Sequence, residues 1–177
     1  MFERSPSGGG WRYVVALGSN RRHHRHGPPE GVLGAALAAL DAAGLRLERA
    51  SPVIASAPVG PSRRRYANGA VLLRADCSPP RLLALLKGIE ESFGRRPGQR
   101  WGARVLDLDI VLWSGGVWRS RGLCVPHLAF RERVFVLGPL AVLVPGWRDP
   151  ITGRTCRQLF ARLTRSRAAP RGTLPPR

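Results

Sequence analysis

Cysteine is too sparse in this sequence to build a covalent scaffold. The chain has three cysteines, Cys77, Cys124 and Cys156, and no two of them have CxxC spacing. An odd count without that spacing argues against a disulfide framework and against a structural zinc site. Free thiols are typical of a reducing compartment, so we expect a cytoplasmic protein.

Long apolar runs are also absent. The longest, residues 134–144, contains Pro139 and falls short of the ~20 residues that a membrane-spanning helix needs. The opening segment, MFERSPSGGG, has no apolar core of the kind that signal peptides carry. We therefore expect no membrane partner.

Acidic residues are few compared with basic ones. Asp and Glu number 11 against 29 Lys and Arg, which gives a net charge of +18. A field this positive attracts nucleic acids, acidic membrane surfaces or nucleotide phosphates. Arginine supplies nearly all of the charge and suits bidentate phosphate binding, but a biased composition would give the same count. Charge alone does not choose among these partners.

The hydrophobic pattern predicts alternating strands and helices. Strands are expected at 11–17, 45–57 (bent near Pro52), 67–75 and 105–113. Helices are expected at 32–43, 81–93, 131–143 and 155–164. A turn at Ser114-Gly115-Gly116 should lead the last strand back toward Val117 and Trp118 as a hairpin.

The order of these elements indicates a fold class. A β-α-β-β-α-β order is typical of the α+β ferredoxin-like sandwich, here with an additional C-terminal hairpin and helices. Two helices would pack on one face of an antiparallel sheet and leave the other face free for a site. The 177 residues fit one domain better than two, so we expect a single domain at 11–165 between disordered tails at 1–10 and 166–177.

Two aspartates lie in the last predicted strand. Side chains alternate between the faces of a strand, so Asp107 and Asp109 point the same way, roughly 7 Å apart along it. Magnesium is commonly held by one or two carboxylates together with substrate phosphates. Two solvated aspartates on a polar face are the alternative. The adjacent RWGAR segment, residues 100–104, favours a metal–phosphate site, with Arg104 close enough to meet the phosphates.

Five ordered motifs resemble those of the 6-hydroxymethyl-7,8-dihydropterin pyrophosphokinase family. They are ALGSN at 16–20, VGP and YAN at 59–61 and 66–68, LKGIE and GR at 86–90 and 94–95, RWGARVLDLDI at 100–110, and VPH and RVFVLGPL at 125–127 and 133–140. The resemblance implies a ferredoxin-like transferase of folate biosynthesis. Such an enzyme moves pyrophosphate from ATP to hydroxymethyl-dihydropterin and gives the dihydropterin diphosphate and AMP.

The resemblance also implies roles for single residues. The catalytic residues would be Arg95, Arg104, Asp107 and Asp109, with the two aspartates ligating two Mg²⁺ ions. ATP would be bound by Arg95, Arg104, His127, Arg133 and Ile110, the last largely through its backbone. The pterin pocket would comprise Ser56, Val59, Tyr66, Asn68, Trp101 and Phe135, with Tyr66 and Phe135 stacked on the ring. Lys87, Gly122 and Cys124 stand where relatives often carry other residues.

A ferredoxin-like module that binds single-stranded RNA is the rival hypothesis, favoured by the net charge. Such a module needs an RNP1-like run, which this sequence lacks, and its two strand aspartates would face a polyanion. The histidines at 23, 24 and 26 could bind a metal, but their spacing favours a solvated loop. We expect a monomer that binds small-molecule substrates and not nucleic acid.

Overall fold

The computed structural model describes residues 10–56, 66–94 and 105–165. Seven strands lie in these ranges: β1 (Trp11–Ser19), β2 (Arg46–Ala50), β3 (Ile54–Ser56), β4 (Tyr66–Ala75), β5 (Asp107–Trp113), β6 (Trp118–Ser120) and β7 (Leu123–Val125). The described helices are α1 (Pro29–Ala42), α2 (Pro79–Ser92), α3 (Val134–Leu143) and α4 (Cys156–Thr164), with a 3₁₀ turn at Phe130–Glu132. Nearly all of both predicted tails lies outside the described residues.

One antiparallel sheet organises the fold, with strand order β2-β4-β1-β5. The predicted strand at 45–57 is broken around Pro52, which has no N–H to donate to a ladder. Its two halves, β2 and β3, both pair with β4. This order confirms the predicted ferredoxin-like arrangement. None of the helices in the described ranges has the length and apolarity to cross a bilayer.

Each face of the sheet carries its own apolar core. On the first face, α1 and α2 bury residues such as Leu33 and Leu86 against Leu17 and Leu108. On the second face, α3 and α4 bury a separate cluster that includes Leu137 and Leu159. The sequence led us to expect a second face free for a site. Because α3 and α4 cover part of this face, that expectation is wrong over part of its length. The second face keeps partial exposure on β1 and β5 at Ala16, Gly18, Asp107 and Asp109.

The turn after β5 forms, but the predicted hairpin does not. The N–H of Gly116 donates to the Trp113 carbonyl at 3.0 Å, yet β6 pairs with β7 in a separate two-stranded sheet. The outer edge of β5 is instead met by other groups. The N–H of His127 donates to the Val111 carbonyl at 3.1 Å, and a side chain of α2 accepts from the Leu108 N–H.

The predicted helix at 131–143 begins later than its pattern indicates. Arg133 has extended backbone angles, φ −109° and ψ 104°, and separates the 3₁₀ turn from α3. Its carbonyl accepts hydrogen bonds from the N–H groups of Val136 and Leu137, so the α-helix starts just after it. The other predicted helix boundaries agree closely. Gly94, at φ +89°, follows the end of α2, and a capping box of Thr155 and Gln158 opens α4.

Candidate active site

A row of four residues crosses the second face near the end of β1. Ile54, Asn68, Gly18 and Asp107 are register neighbours on β3, β4, β1 and β5. Directly paired residues put their side chains on the same face of a sheet. A Cβ placed on Gly18 would lie 3.7 Å from Asn68 Oδ1 and 4.0 Å from Asp107 Cβ. Glycine therefore leaves a gap between an amide and a carboxylate.

The next row across the second face has small side chains on β4 and β1. Ala70, Ala16 and Asp109 are register neighbours on β4, β1 and β5. Both alanines pack against the second-face core, so small side chains lie beside the second carboxylate. Asp107 and Asp109 are both half-buried. β5 thus carries two carboxylates on one face, as predicted. The β1 residues paired with them are small, Gly18 and Ala16.

Asn20 follows β1 directly and has a buried acceptor. Its Oδ1 accepts no hydrogen bond from the residues that the structure describes. A buried acceptor left unpaired costs about 1–3 kcal/mol, so a ligand N–H or a water would stabilise it. The sequence predicted only a strand end and turn here. An asparagine that directly follows a Gly-Ser strand end was the available signal.

A buried carboxylate on α2 holds the outer edge of β5. Glu90 is fully buried, and its Oε1 accepts the Leu108 N–H at 2.7 Å. The Lys87 ammonium donates to both Glu90 oxygens, at 2.8 and 3.0 Å. Glu90 belongs to a family-like motif, but the sequence assigned it no role. Its signal was a charge adjoining the buried apolar positions of α2, such as Leu86 and Ile89.

The segment between β7 and α3 carries two predicted ATP contacts. His127 is half-buried, and its Nδ1 accepts the Ala129 N–H at 3.3 Å. In the neutral imidazole, this acceptor leaves the proton on Nε2, which is then a donor. Arg133 is exposed just before α3, with its guanidinium 5.9 Å from the centroid of the Phe135 ring.

Asp149 anchors the segment between β7 and α3 through Arg131. The buried carboxylate accepts two hydrogen bonds from Arg131, at 2.6 and 2.8 Å, and one from the Thr152 hydroxyl at 2.6 Å. Burial opposes ionisation of Asp149, but these bonds and the Ile151 N–H outweigh it and lower its pKa to about 2. The turn that precedes α3 is therefore tied to the 149–155 loop.

The predicted pterin residues within the described ranges lie on β3, β4 and α3. Tyr66 is two positions before Asn68 on β4, so both side chains point to the second face. Asn68 is only 6% exposed, and Tyr66 is half-buried. Ser56 pairs with Tyr66 through β3. Phe135, also half-buried, lies in the first turn of α3.

One other predicted site residue has its side chain on the first face, and the rest lie outside the described ranges. The Ile110 side chain is 3% exposed and belongs to the first-face core, so only its backbone could meet a ligand. Four predicted site residues lie outside the described ranges: Val59, Arg95, Trp101 and Arg104.

The histidine segment forms a ring stack against the end of α2. His23 and His26 stack with centroids 4.6 Å apart, and both contact Phe93, at 6.0 and 5.0 Å. Partial burial, followed by the nearby histidines and Arg25, lowers the pKa of His23. Within 10–56, 66–94 and 105–165, no three His, Cys, Asp or Glu side chains form a potential metal cluster.

Comparison with known proteins gives consistent matches. The model of the family "7,8-dihydro-6-hydroxymethylpterin-pyrophosphokinase (HPPK)" matches residues 14–145. The chain is 41% identical over 148 residues to 2-amino-4-hydroxy-6-hydroxymethyldihydropteridine pyrophosphokinase of Synechocystis sp., covering 83% of this chain and 73% of that protein. It is 40% identical over 152 residues to the Pseudomonas aeruginosa protein of the same name, covering 85% and 90%.

A solved structure supports the fold alone. The HPPK-DHPS crystal structure in complex with substrates superposes with a TM-score of 0.67 at 13% identity, over 86% of this chain. This chain spans 43% of the length of that solved chain. By the extent of the family match and the two bacterial relatives, the chain belongs to the 7,8-dihydro-6-hydroxymethylpterin-pyrophosphokinase family.

Proposed function

We propose that this chain is a Mg²⁺-dependent pyrophosphokinase of folate biosynthesis. It transfers the pyrophosphoryl group of ATP to 6-hydroxymethyl-7,8-dihydropterin and releases AMP. Family membership supports the reaction class. The single structural observation that carries the proposal is the placement of Asn68 and Asp107 on one face, on either side of Gly18. An amide suited to a ring edge and a carboxylate suited to a metal–phosphate complex are thereby brought next to each other.

The carboxylate pair fits magnesium better than a structural metal. Asp107 and Asp109 supply oxygen ligands, which hard cations prefer. The described residues offer no third acidic, histidine or cysteine ligand beside them. Magnesium commonly keeps waters and substrate phosphates as its remaining ligands. We propose that these two aspartates hold two Mg²⁺ ions, which, when bound, would neutralise the phosphate charge and align the phosphates.

The reaction requires positioning more than covalent chemistry by the protein. The pterin hydroxymethyl oxygen forms a bond to the β-phosphorus of ATP, and the bond from that phosphorus to the α–β bridging oxygen breaks, so AMP leaves. His127 would donate from Nε2 to a phosphate oxygen. Arg133, Arg95 and Arg104 would supply charge-assisted hydrogen bonds to the phosphates.

Pterin recognition would use both the edge and the faces of the ring. The Asn68 amide offers a donor and an acceptor to the polar edge. Tyr66 and Phe135 would stack on the two faces of the ring. Ser56, Val59 and Trp101 would complete the pocket.

The direct test measures AMP formation by the purified chain. We expect AMP only when ATP, the hydroxymethyl-dihydropterin and Mg²⁺ are all present, with one AMP for each pterin diphosphate. AMP formation without the pterin, or none with all three, would contradict the proposed reaction. Thermal melts with Mg-ATP and with single-stranded RNA test the rival function, since an RNA-binding module would be stabilised by RNA.

A further inference from the structure

The strand that carries both aspartates is an edge strand of the main sheet. β5 pairs with β1 on one side, and Leu108 lies opposite Leu17 in that pairing. Hydrogen-bonding direction alternates along an antiparallel strand. The Leu108 N–H points outward, away from β1, and donates to Glu90 Oε1 at 2.7 Å. The peptide between Asp107 and Asp109 is thus held by a helix side chain on the outer edge.

Glu90 makes this contact from a fully buried position, where a carboxylate is costly unless it is paired. Lys87, one helical turn earlier on α2, supplies the counter-charge through hydrogen bonds to both carboxylate oxygens. Lys87 is also the only lysine in the chain. The Lys87 ammonium therefore offsets the cost of burying the Glu90 carboxylate, and Oε1 still accepts from the strand.

Glu90 does not act as a third ligand beside the aspartates. α2 packs on the first face of the sheet, where Leu86 and Leu108 share one core. Asp107 and Asp109 alternate with Leu108 and point to the second face. Glu90 reaches the strand edge instead, and its carboxylate contacts the backbone between the two ligands. Its influence on a bound cation would pass through the strand.

We infer that Glu90, with Lys87 as its counter-ion, is a positioning residue that sets the relative placement of the two metal-binding carboxylates. This inference rests on the proposed function, because it assumes that Asp107 and Asp109 bind the cation. Groups that orient metal ligands from behind typically change metal affinity or activity by about 10–100-fold when removed. A contact that served only to attach α2 to the sheet would change stability and leave metal affinity unaltered.

Two substitutions separate the reach of Glu90 from its charge. Glu90→Asp keeps the charge but withdraws the carboxylate from the Leu108 N–H. Glu90→Gln keeps the length and an acceptor oxygen but loses the charge. The matched control is Glu48→Gln, which breaks the Glu48–Arg74 ion pair between β2 and β4 at the opposite edge of the same sheet.

Metal affinity is measured without turnover, by titrating Mn²⁺ into protein with a non-hydrolysable ATP analogue and following free Mn²⁺ by electron paramagnetic resonance. Mg²⁺ dependence of AMP formation and thermal melts are recorded on the same samples. We expect Glu90→Asp to weaken Mn²⁺ binding about ten-fold or more. The Mn²⁺ affinities of Glu90→Gln and Glu48→Gln should stay within about three-fold of the wild-type value. A change of that size corresponds to the free energy of a partly exposed ion pair.

The outcomes separate the two hypotheses. Unchanged Mn²⁺ affinity in a folded Glu90→Asp variant overturns the positioning role, as does a larger loss in Glu90→Gln than in Glu90→Asp. If Glu90→Asp does not fold, Lys87→Met takes its place. A loss of Mn²⁺ affinity clearly larger than the roughly three-fold allowed for Glu48→Gln supports the role, and a loss within that range overturns it. A wild-type chain that forms no AMP contradicts the proposed reaction itself.

Discussion

Asn68 on β4 and Asp107 on β5 lie on the same face of the sheet, one on each side of Gly18 in β1. The two residues are 39 positions apart in the sequence. Their proximity depends on the pairing of β4 and β5 with the same central strand. This arrangement puts a group suited to a planar heterocycle beside a group suited to a cation–phosphate complex, with the intervening glycine between them in the candidate site.

Replacing that glycine should harm activity without harming the fold. Gly18 has no positive φ, and a Cβ there would meet its neighbours at ordinary contact distances, 3.7 and 4.0 Å. Gly18→Ala should therefore fold with unchanged or slightly higher stability, by up to about 1 kcal/mol. Its methyl group would occupy the gap between Asn68 and Asp107, so we expect at least a several-fold rise in KM for the pterin.

The matched control is Gly69→Ala. Gly69 is the next residue on β4, and its added Cβ would face the other way, 3.7 Å from Ser51 Oγ and 3.9 Å from Leu33 Cδ1. This variant should keep wild-type kinetics. Equal kinetic losses in both variants would mean that the gap at Gly18 is not used by substrate.

The two strand aspartates should be essential for turnover and dispensable for folding. Asp107→Asn and Asp109→Asn keep the side-chain shape but remove a negative charge, so each should lower kcat by about 10²-fold or more. Their melting temperatures should stay near that of the wild type, because asparagine keeps the size and shape of each half-buried side chain. Asp41→Asn, at an exposed position on α1, is the control. Normal turnover in either strand variant would remove the metal assignment.

Pterin affinity should depend on Asn68 and Phe135 more than ATP affinity does. An aromatic stacking contact is worth about 0.5–1.5 kcal/mol beyond the area that it buries, which corresponds to roughly two- to twelve-fold in Kd. Calorimetric titration of Asn68→Ala and Phe135→Ala with each ligand tests this difference. Phe160→Ala, an aromatic of α4 that packs near Gly138, should lower stability and leave both affinities alone. Similar losses for both ligands would place the ring elsewhere.

Asp149 should make stability depend on pH in the acid range. Its pKa falls from an ordinary value of 3.8 to about 2 in the folded chain. The folded state then binds fewer protons than the unfolded one, so the stabilisation is fully present above about pH 4 and is lost as pH falls toward about 2. The shift corresponds to about 2 kcal/mol.

The check compares urea unfolding of the wild type and Asp149→Asn between about pH 2 and 7. At neutral pH the variant should be less stable by about 2 kcal/mol or more, because Arg131 also loses its carboxylate partner. The difference in unfolding free energy between the wild type and the variant should become steadily smaller below about pH 4. A difference that stays constant down to about pH 2 would show that ionisation of Asp149 contributes nothing to folding.

Some of the site could be predicted because its signals are local. Alternation along residues 105–110 places Asp107 and Asp109 on one face and Leu108 and Ile110 on the other, and the structure agrees. The break at Pro52 and the helix end at Gly94 follow equally from the chemistry of single residues. Each of these features depends on a few neighbouring positions.

The in–out alternation of side chains along β5 fails at Leu112, two residues after Ile110, because the pairing with β1 shifts register there. Val14 pairs with Leu112 while Val15 pairs with Ile110, so Val111 is an extra residue in β5. This bulge turns Leu112 to the second-face core, although strict alternation would put it with Leu108. The register with β1 decides this, and the sequence of β5 alone contains no signal for it.

The sequence by itself determined which segments become strands and helices and which face of β5 carries the carboxylates, because side-chain periodicity and turn chemistry act over a few residues. Only the tertiary structure decided that Asn68 and Asp107 flank Gly18, that Glu90 holds the Leu108 N–H, and that β6 pairs with β7 rather than β5. Those contacts join residues that are distant in the chain. They form only when the sheet order and the packing of α2 bring hydrogen-bonding groups within reach of one another.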